Sequence, residues 1–112
     1  MLEMNELCWL AGLLEGEGCF HAQPQGRKRT PNLLIQVAMT DRDVVEHVAK
    51  LFGCNLRTPC KPRAHQHKTV YSVGVCGIKA LGWMMTLYPL MGARRQAKIR
   101  EIIGAARCPR TV

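Results

Sequence analysis

Two carboxylates, Glu15 and Glu17, alternate with Gly16 and Gly18 where an apolar run from Cys8 to Leu14 stops. A carboxylate at the end of so greasy a segment offers hard oxygen donors of the kind a divalent cation takes. Gly12 and Gly16 stand four apart, one helical turn, and leave a bare groove into which another backbone can come close. A helix that is apolar all round must be covered all round. Two copies of the segment crossing at that groove would bring two Glu17 side chains together where the helices end.

A second group able to do chemistry is Cys54, Cys60, His65 and His67. Its spacing argues against structural zinc, because the cysteines lie too far apart and the histidines too close together for the usual ligand pairs. With no secretory signal, the six cysteines read as reduced thiols, and Cys8, Cys19 and Cys76 as small packing hydrophobes.

Charge forms the third group. The formal net charge is +8, and all eight acids fall at Glu3 to Glu17, at Asp41, Asp43 and Glu46, and at Glu101. The acid-free stretches between them hold Arg27, Lys28, Arg29, Arg57, Lys61, Arg63 and Lys68, which would meet phosphate without local repulsion. A solvated basic surface is the plainer reading of the same charges.

These residues need elements to hold them. Asn5 can cap a first helix that runs to about Leu14, with Leu7, Leu10, Ala11 and Leu14 on one face and Trp9 and Leu13 on a second. From Cys19 to Gln25 the chain alternates, with Phe20, Ala22 and Pro24 on one side and His21, Gln23 and Gln25 on the other. A basic turn ends at Pro31, and a second strand, Leu33 to Met39, sends Leu33, Ile35, Val37 and Met39 to the core and Leu34, Gln36 and Ala38 outward. Thr40 to Asp43 looks like a helix start, and Val44, Val45, Val48, Leu51 and Phe52 repeat at helical spacing before Gly53. Strands are predicted over Leu56 to Cys60 and Thr69 to Val75, with Tyr71, Val73 and Val75 inward and Ser72 outward. Gly77 opens a third helix with Ile78, Leu81, Met85 and Tyr88 on one side, closed by Pro89, and Met84, Met85 and Met91 read as core filler. A last helix starts near Ala93, with Ile99, Ile102, Ile103 and Ala106 inward and Arg94, Arg95, Lys98 and Arg100 mostly outward.

The nine residues Leu10 to Gly18 resemble the signature of the LAGLIDADG homing endonucleases, and the order of elements is similar to the αββαββα core of that family. The first four letters match outright; Leu14 stands for an isoleucine, Glu15 for an aspartate and Glu17 for the metal-binding acid, one methylene longer than the usual aspartate. The resemblance implies an α+β fold in a single domain, one subunit of a homodimer whose antiparallel sheets form a saddle for double-stranded DNA. It makes Glu17 the catalytic acid and, with the Gly16 carbonyl, the ligand of Mg2+ or another divalent cation such as Mn2+. Arg94 and Arg95 are the implied charge-stabilising groups, and Cys8, Ala11, Gly12 and Glu15 the dimer interface, with Glu15 bracing the helix junction.

Strand ribbons fit the major groove, where Gln pairs with adenine edges and Arg with guanine edges. His21, Gln23, Gln25, Gln36, Arg57, Lys61, Lys68 and Ser72 are therefore the candidates on the DNA face, and Arg27, Lys28, Arg29 and Arg63 the phosphate contacts that fix register. A strand of about ten residues spans roughly 33 Å, about ten base pairs, so a dimer would cover roughly 20. An intracellular protein is expected, with no membrane span and no small-molecule substrate. Where relatives often carry a water-positioning glutamine after the second strand, this chain offers Met39 or Thr40. A nucleic-acid-binding protein that keeps the fold without cleavage, a maturase or a regulator, is the alternative.

Overall fold

The computed structural model describes residues 3–23, 31–56 and 69–107. Its order is α1 (Met4–Glu17), β1 (Gly18–Gln23), β2 (Asn32–Met39), α2 (Arg42–Phe52), β3 (Tyr71–Cys76), α3 (Gly77–Leu87), a 3₁₀ turn (Tyr88–Leu90) and α4 (Ala93–Arg107). The strands form an antiparallel sheet of order β1-β2-β3. All four helices pack on one face of it.

Alternation decides the two faces, since successive side chains of a strand point to opposite sides. Phe20, Leu33, Ile35, Val37, Val73 and Val75 are buried beneath the helices. Register carries the outward residues into rows: Cys19, Gln36 and Gly74 make one, and His21, Leu34 and Cys76 the next. Ala38 pairs with Ser72 at one end and Gln23 with Asn32 at the other. The core face agrees with the sequence reading for β1, β2 and β3. Of the predicted third strand, Leu56 is not in a strand, and the rest lies outside the described residues.

The helices close the core with Leu10, Ala11 and Leu14 from α1, Val45, Val48, Ala49 and Phe52 from α2, Ala80, Met84 and Leu87 from α3, and Ile99 and Ile102 from α4. α2 ends where Gly53 takes a left-handed φ of 71°. There the Gly53 N–H bonds to the Lys50 carbonyl and the Cys54 N–H to that of Ala49, which satisfies the last carbonyls of the helix.

Several boundaries and faces differ from expectation. α1 starts a residue before Asn5 and is capped at Glu3 without a side-chain bond; it runs on to Glu17, because Gly16 does not stop a helix whose apolar face is already anchored by Leu10 and Leu14. The N-cap of α2 is Asp41, not Thr40. In α3 the buried stripe is Ala80, Met84 and Leu87, so Ile78 (87% exposed) and Met85 (63%) face outward. α3 is rich in apolar residues on both sides, and spacing alone does not choose between them. Met84 and Met91 are core filler, as expected, but Met85 is not. No helix among the described residues is long and apolar enough to cross a membrane.

Candidate functional site

The site begins at the seam between α1 and β1, where Glu17 is the last helical residue and Gly18 the first of the strand. Gly18 is buried, and its N–H bonds to the Leu14 carbonyl. A Cβ there would lie 2.7 Å from the Leu14 oxygen and 2.9 Å from its Cα, so only glycine lets the strand leave the helix so tightly. That contact explains the last letter of the signature. Its φ of −78° is open to any residue, and the requirement is for space.

Glu17 and Gly16 are exposed, and neither the Glu17 carboxylate nor the Gly16 carbonyl bonds to any described residue. They are two hard oxygen donors on adjacent residues, a set that suits Mg2+ or Mn2+ and leaves most of the coordination sphere to other ligands. Among the described residues no group of three or more metal-ligating side chains forms. One chain thus supplies part of a site.

Glu15 points elsewhere, as expected from its place two residues earlier. Its Oε1 accepts the Gly92 N–H at 2.6 Å, and its backbone carbonyl accepts the Arg95 Nε–H at 3.1 Å. The Arg95 guanidinium also lies over the Phe20 ring, 5.8 Å from its centroid, and pairs with Glu15 Oε2 at 3.4 Å. Of the two arginines expected to stabilise charge, Arg94 is exposed, whereas Arg95 is half-buried and committed to this junction. Arg94, Arg95 and Lys98 line an open groove of about 330 Å³ with Cys19, Phe20 and His21. No acid lines it.

The outer face of the sheet carries His21 and Gln23, both exposed, and Gln36 and Ser72, half-exposed. Gln25, Arg27, Lys28, Arg29, Arg57, Lys61, Arg63 and Lys68 lie outside the described residues. β1 has six residues and β2 eight, about 20 and 26 Å of strand, shorter than the ten residues expected. Cys19 and Cys76 are exposed on this face, and Cys8 on α1, so these three thiols do not serve as core packing. Alternation with His21 and Gln23 is the signal that places Cys19 outward, and alternation with Leu34 and Gln36 does the same for Asn32, absent from the expected DNA face. Lys98, four residues from Arg94, is the groove's other overlooked cation.

Of the four interface candidates, Cys8 and Gly12 lie on the open side of α1, and a Cβ on Gly12 or Gly16 would meet nothing within 4 Å. Ala11 is 3% exposed within its own subunit, and Glu15 is tied to Gly92 and Arg95. At 100° per residue, Ala11 falls beside Leu7 and Leu14 and opposite Gly12 and Gly16. Trp9, 39% exposed, flanks the open side and meets the His47 ring edge-on at 4.4 Å. Of the four candidate zinc ligands only Cys54 lies in the described residues; it is half-buried, and its Sγ donates to the Gly74 carbonyl at 3.8 Å.

No protein-family model and no curated protein matches the sequence. Solved structures do. The homing endonuclease I-CvuI, in complex with its target in the presence of calcium, superposes with a TM-score of 0.63 and 19% identity over 92% of this chain and 69% of its own. The homing endonuclease I-TnaI gives a TM-score of 0.60 at 17% identity, over 88% of this chain and 69% of its own. The archaeal intron-encoded homing endonuclease I-Vdi141I, complexed with DNA, gives 0.59 at 18%, over 89% and 67%. At such identities the likeness is one of fold: this chain has the α+β fold of the single-motif LAGLIDADG homing endonucleases, the family whose signature Leu10 to Gly18 resembles.

Proposed function

We propose that the protein is a sequence-specific endonuclease of double-stranded DNA, acting as a homodimer on a long, near-palindromic target with the help of a divalent cation. The observation that carries this reading is one of placement. On a homing-endonuclease fold, an exposed and unpartnered carboxylate, Glu17, stands two residues from the first outward residue of a sheet face that bears no acid among the described residues.

The open side of α1, with Gly12 and Gly16 bare and Cys8 and Trp9 on its flanks, is the surface on which two copies meet. Their crossing brings two Glu17 carboxylates and two Gly16 carbonyls to one place. Two-fold symmetry of the protein then asks for two-fold symmetry in the target. When bound there, Mg2+ or Mn2+ supplies an activated water and stabilises the charge that develops as a phosphodiester is hydrolysed.

The chain's own residues do the rest. Glu17 holds the cation, with the Gly16 carbonyl beside it. Arg94 and Lys98 meet the phosphate backbone near that point and neutralise it. Gln23, Asn32 and Gln36 offer paired donors and acceptors that suit adenine, and His21 and Ser72 add single hydrogen bonds.

A screen of a randomised duplex library tests this reading. Purified protein should cut a subset of sequences only when a divalent cation is added, and Glu17→Gln should bind the same duplexes without cutting them. Equal cutting by Glu17→Gln refutes the assignment. A second reading, binding without cleavage, draws on the residues that follow β2: Met39 packs against the core and Thr40 is exposed, so no glutamine stands there to position a water. Salt-sensitive duplex or RNA binding by a wild-type protein that never nicks DNA would favour it.

A further inference from the structure

We infer that Glu15 and Arg95 are positioning residues, which set the affinity of the Glu17 and Gly16 oxygens for a divalent cation without touching it. The inference rests on the proposed role of Glu17 as a cation ligand.

The argument starts from what the two helix ends lack. The C-terminus of a helix presents unpaired carbonyls and partial negative charge, and its N-terminus unpaired N–H groups and partial positive charge. α1 has no basic residue in its last turn, and α4 no acidic residue in its first. Each helix draws the missing charge from the other. Arg95, from α4, donates to the Glu15 carbonyl at the end of α1, and Glu15, from α1, accepts the N–H of Gly92 at the start of α4. The partners are 80 and 77 residues apart in sequence, so the bonds form only when the whole domain has folded.

Packing makes this mutual cap rigid. Arg95 is only 17% exposed and rests on Phe20, the first core residue of β1. Glu15 Oε2 is shielded from solvent and makes no hydrogen bond, with the Arg95 guanidinium its neighbouring charge at 3.4 Å. A side chain at Gly92 would collide with Glu15 Oε1, so the N–H can approach the carboxylate only because that residue is glycine.

The effect falls on the next two residues. The Leu14 carbonyl takes the Gly18 N–H and the Glu15 carbonyl takes Arg95, which leaves the Gly16 carbonyl unpaired on a turn fixed on both sides. Without Arg95, the Glu15 carbonyl would be free to tilt toward water, and the Gly16 carbonyl and Glu17 would swing with it. A donor pair held in one orientation binds a cation more tightly than one that must be ordered on binding.

Mn2+ titration followed by electron paramagnetic resonance tests this on the full chain, with thermal melting run in parallel. Arg95→Met and Glu15→Gln should each weaken Mn2+ binding about ten-fold, the lower end of what supporting residues contribute to metal sites. The double variant should be no weaker than either single one, since the two act as a unit. Should Arg95→Met fail to fold, Arg95→Lys, which keeps the charge and loses the Nε–H donor, should show the same loss. Unchanged Mn2+ affinity in the folded variants, with Glu17→Gln abolishing it, overturns the inference and leaves the role of Glu17 standing. If Glu17→Gln also binds Mn2+ as the wild type does, the cation reading itself falls, and this inference with it.

Discussion

Replacing Gly12 by alanine sets the stability of one chain against the association of two, and the two effects have opposite signs. Within the subunit the new Cβ meets nothing within 4 Å, and Gly12 is exposed in the middle of α1. Alanine there should stabilise the helix by up to about 1 kcal/mol relative to glycine. For a domain of 112 residues, at about 2.1 cal/mol/K per residue, that gain raises the melting temperature by roughly 4 °C. The helix gain is shared by the free and the associated chain, so it cancels from the dimerisation equilibrium. If α1 crosses its copy at Gly12, each added methyl overpacks the contact, which costs about 1–3 kcal/mol. Two copies lose at least about 2 kcal/mol between them, roughly a 30-fold weaker dimer. Sedimentation velocity over a dilution series should show that shift, and melting at high dilution should show the opposite one. Gly82→Ala is the control, since Gly82 is equally open on the outside of α3 and should raise melting without changing association. A Gly12→Ala protein that associates as tightly as the wild type would refute the crossing of α1 helices at this residue.

Other expectations follow from single contacts. Gly18→Ala places a methyl against the Leu14 backbone, which cannot move without shifting the α1–β1 seam; a loss of about 2–3 kcal/mol, roughly 8–13 °C in melting temperature, should be seen by calorimetry. Leu14→Ala, at a fully buried position, should cost about 2–5 kcal/mol in a urea titration with little change in the slope. Gln36→Ala should relax base preference at one position of each half-site in a library selection, by about 1–3 kcal/mol, and leave other positions as they were. Arg94→Ala should instead weaken binding to all duplexes alike and reduce the salt dependence by about one unit of slope.

Most of the fold was legible because alternation and helical spacing are local. Val45, Val48 and Phe52 announce α2 unaided, and the strict in-out order of Leu33 to Met39 fixes which side of β2 is buried. Local pattern failed where both sides of an element are apolar. In α3, Ile78 and Met85 are as greasy as Met84 and Leu87, and only the packing of α3 on β2 and β3 separates them. The nine-residue signature revealed Glu17 and the groove glycines, since those depend on spacing within one helix. It could not reveal Arg95 as the partner of Glu15, because that pairing is made by the tertiary approach of the two helix ends. Ala11 shows the limit from the other side: counted by its place in the motif it belongs to an interface, while its angle on the helix puts it in the core.

The seam at Glu17 and Gly18 contains no loop. A helix that runs straight into a strand behaves as one lever, with its fulcrum at the buried glycine. Cys19, the first outward residue of the sheet, is two residues from Glu17, about 6–7 Å along an extended chain, and neither can drift relative to the other without breaking the bond from Gly18 to Leu14. Whatever is held at the acid and whatever is held on the sheet are therefore spaced by covalent geometry. The offset between them is as invariant as the backbone itself, and a change in the tilt of α1 is passed to the outer face undamped.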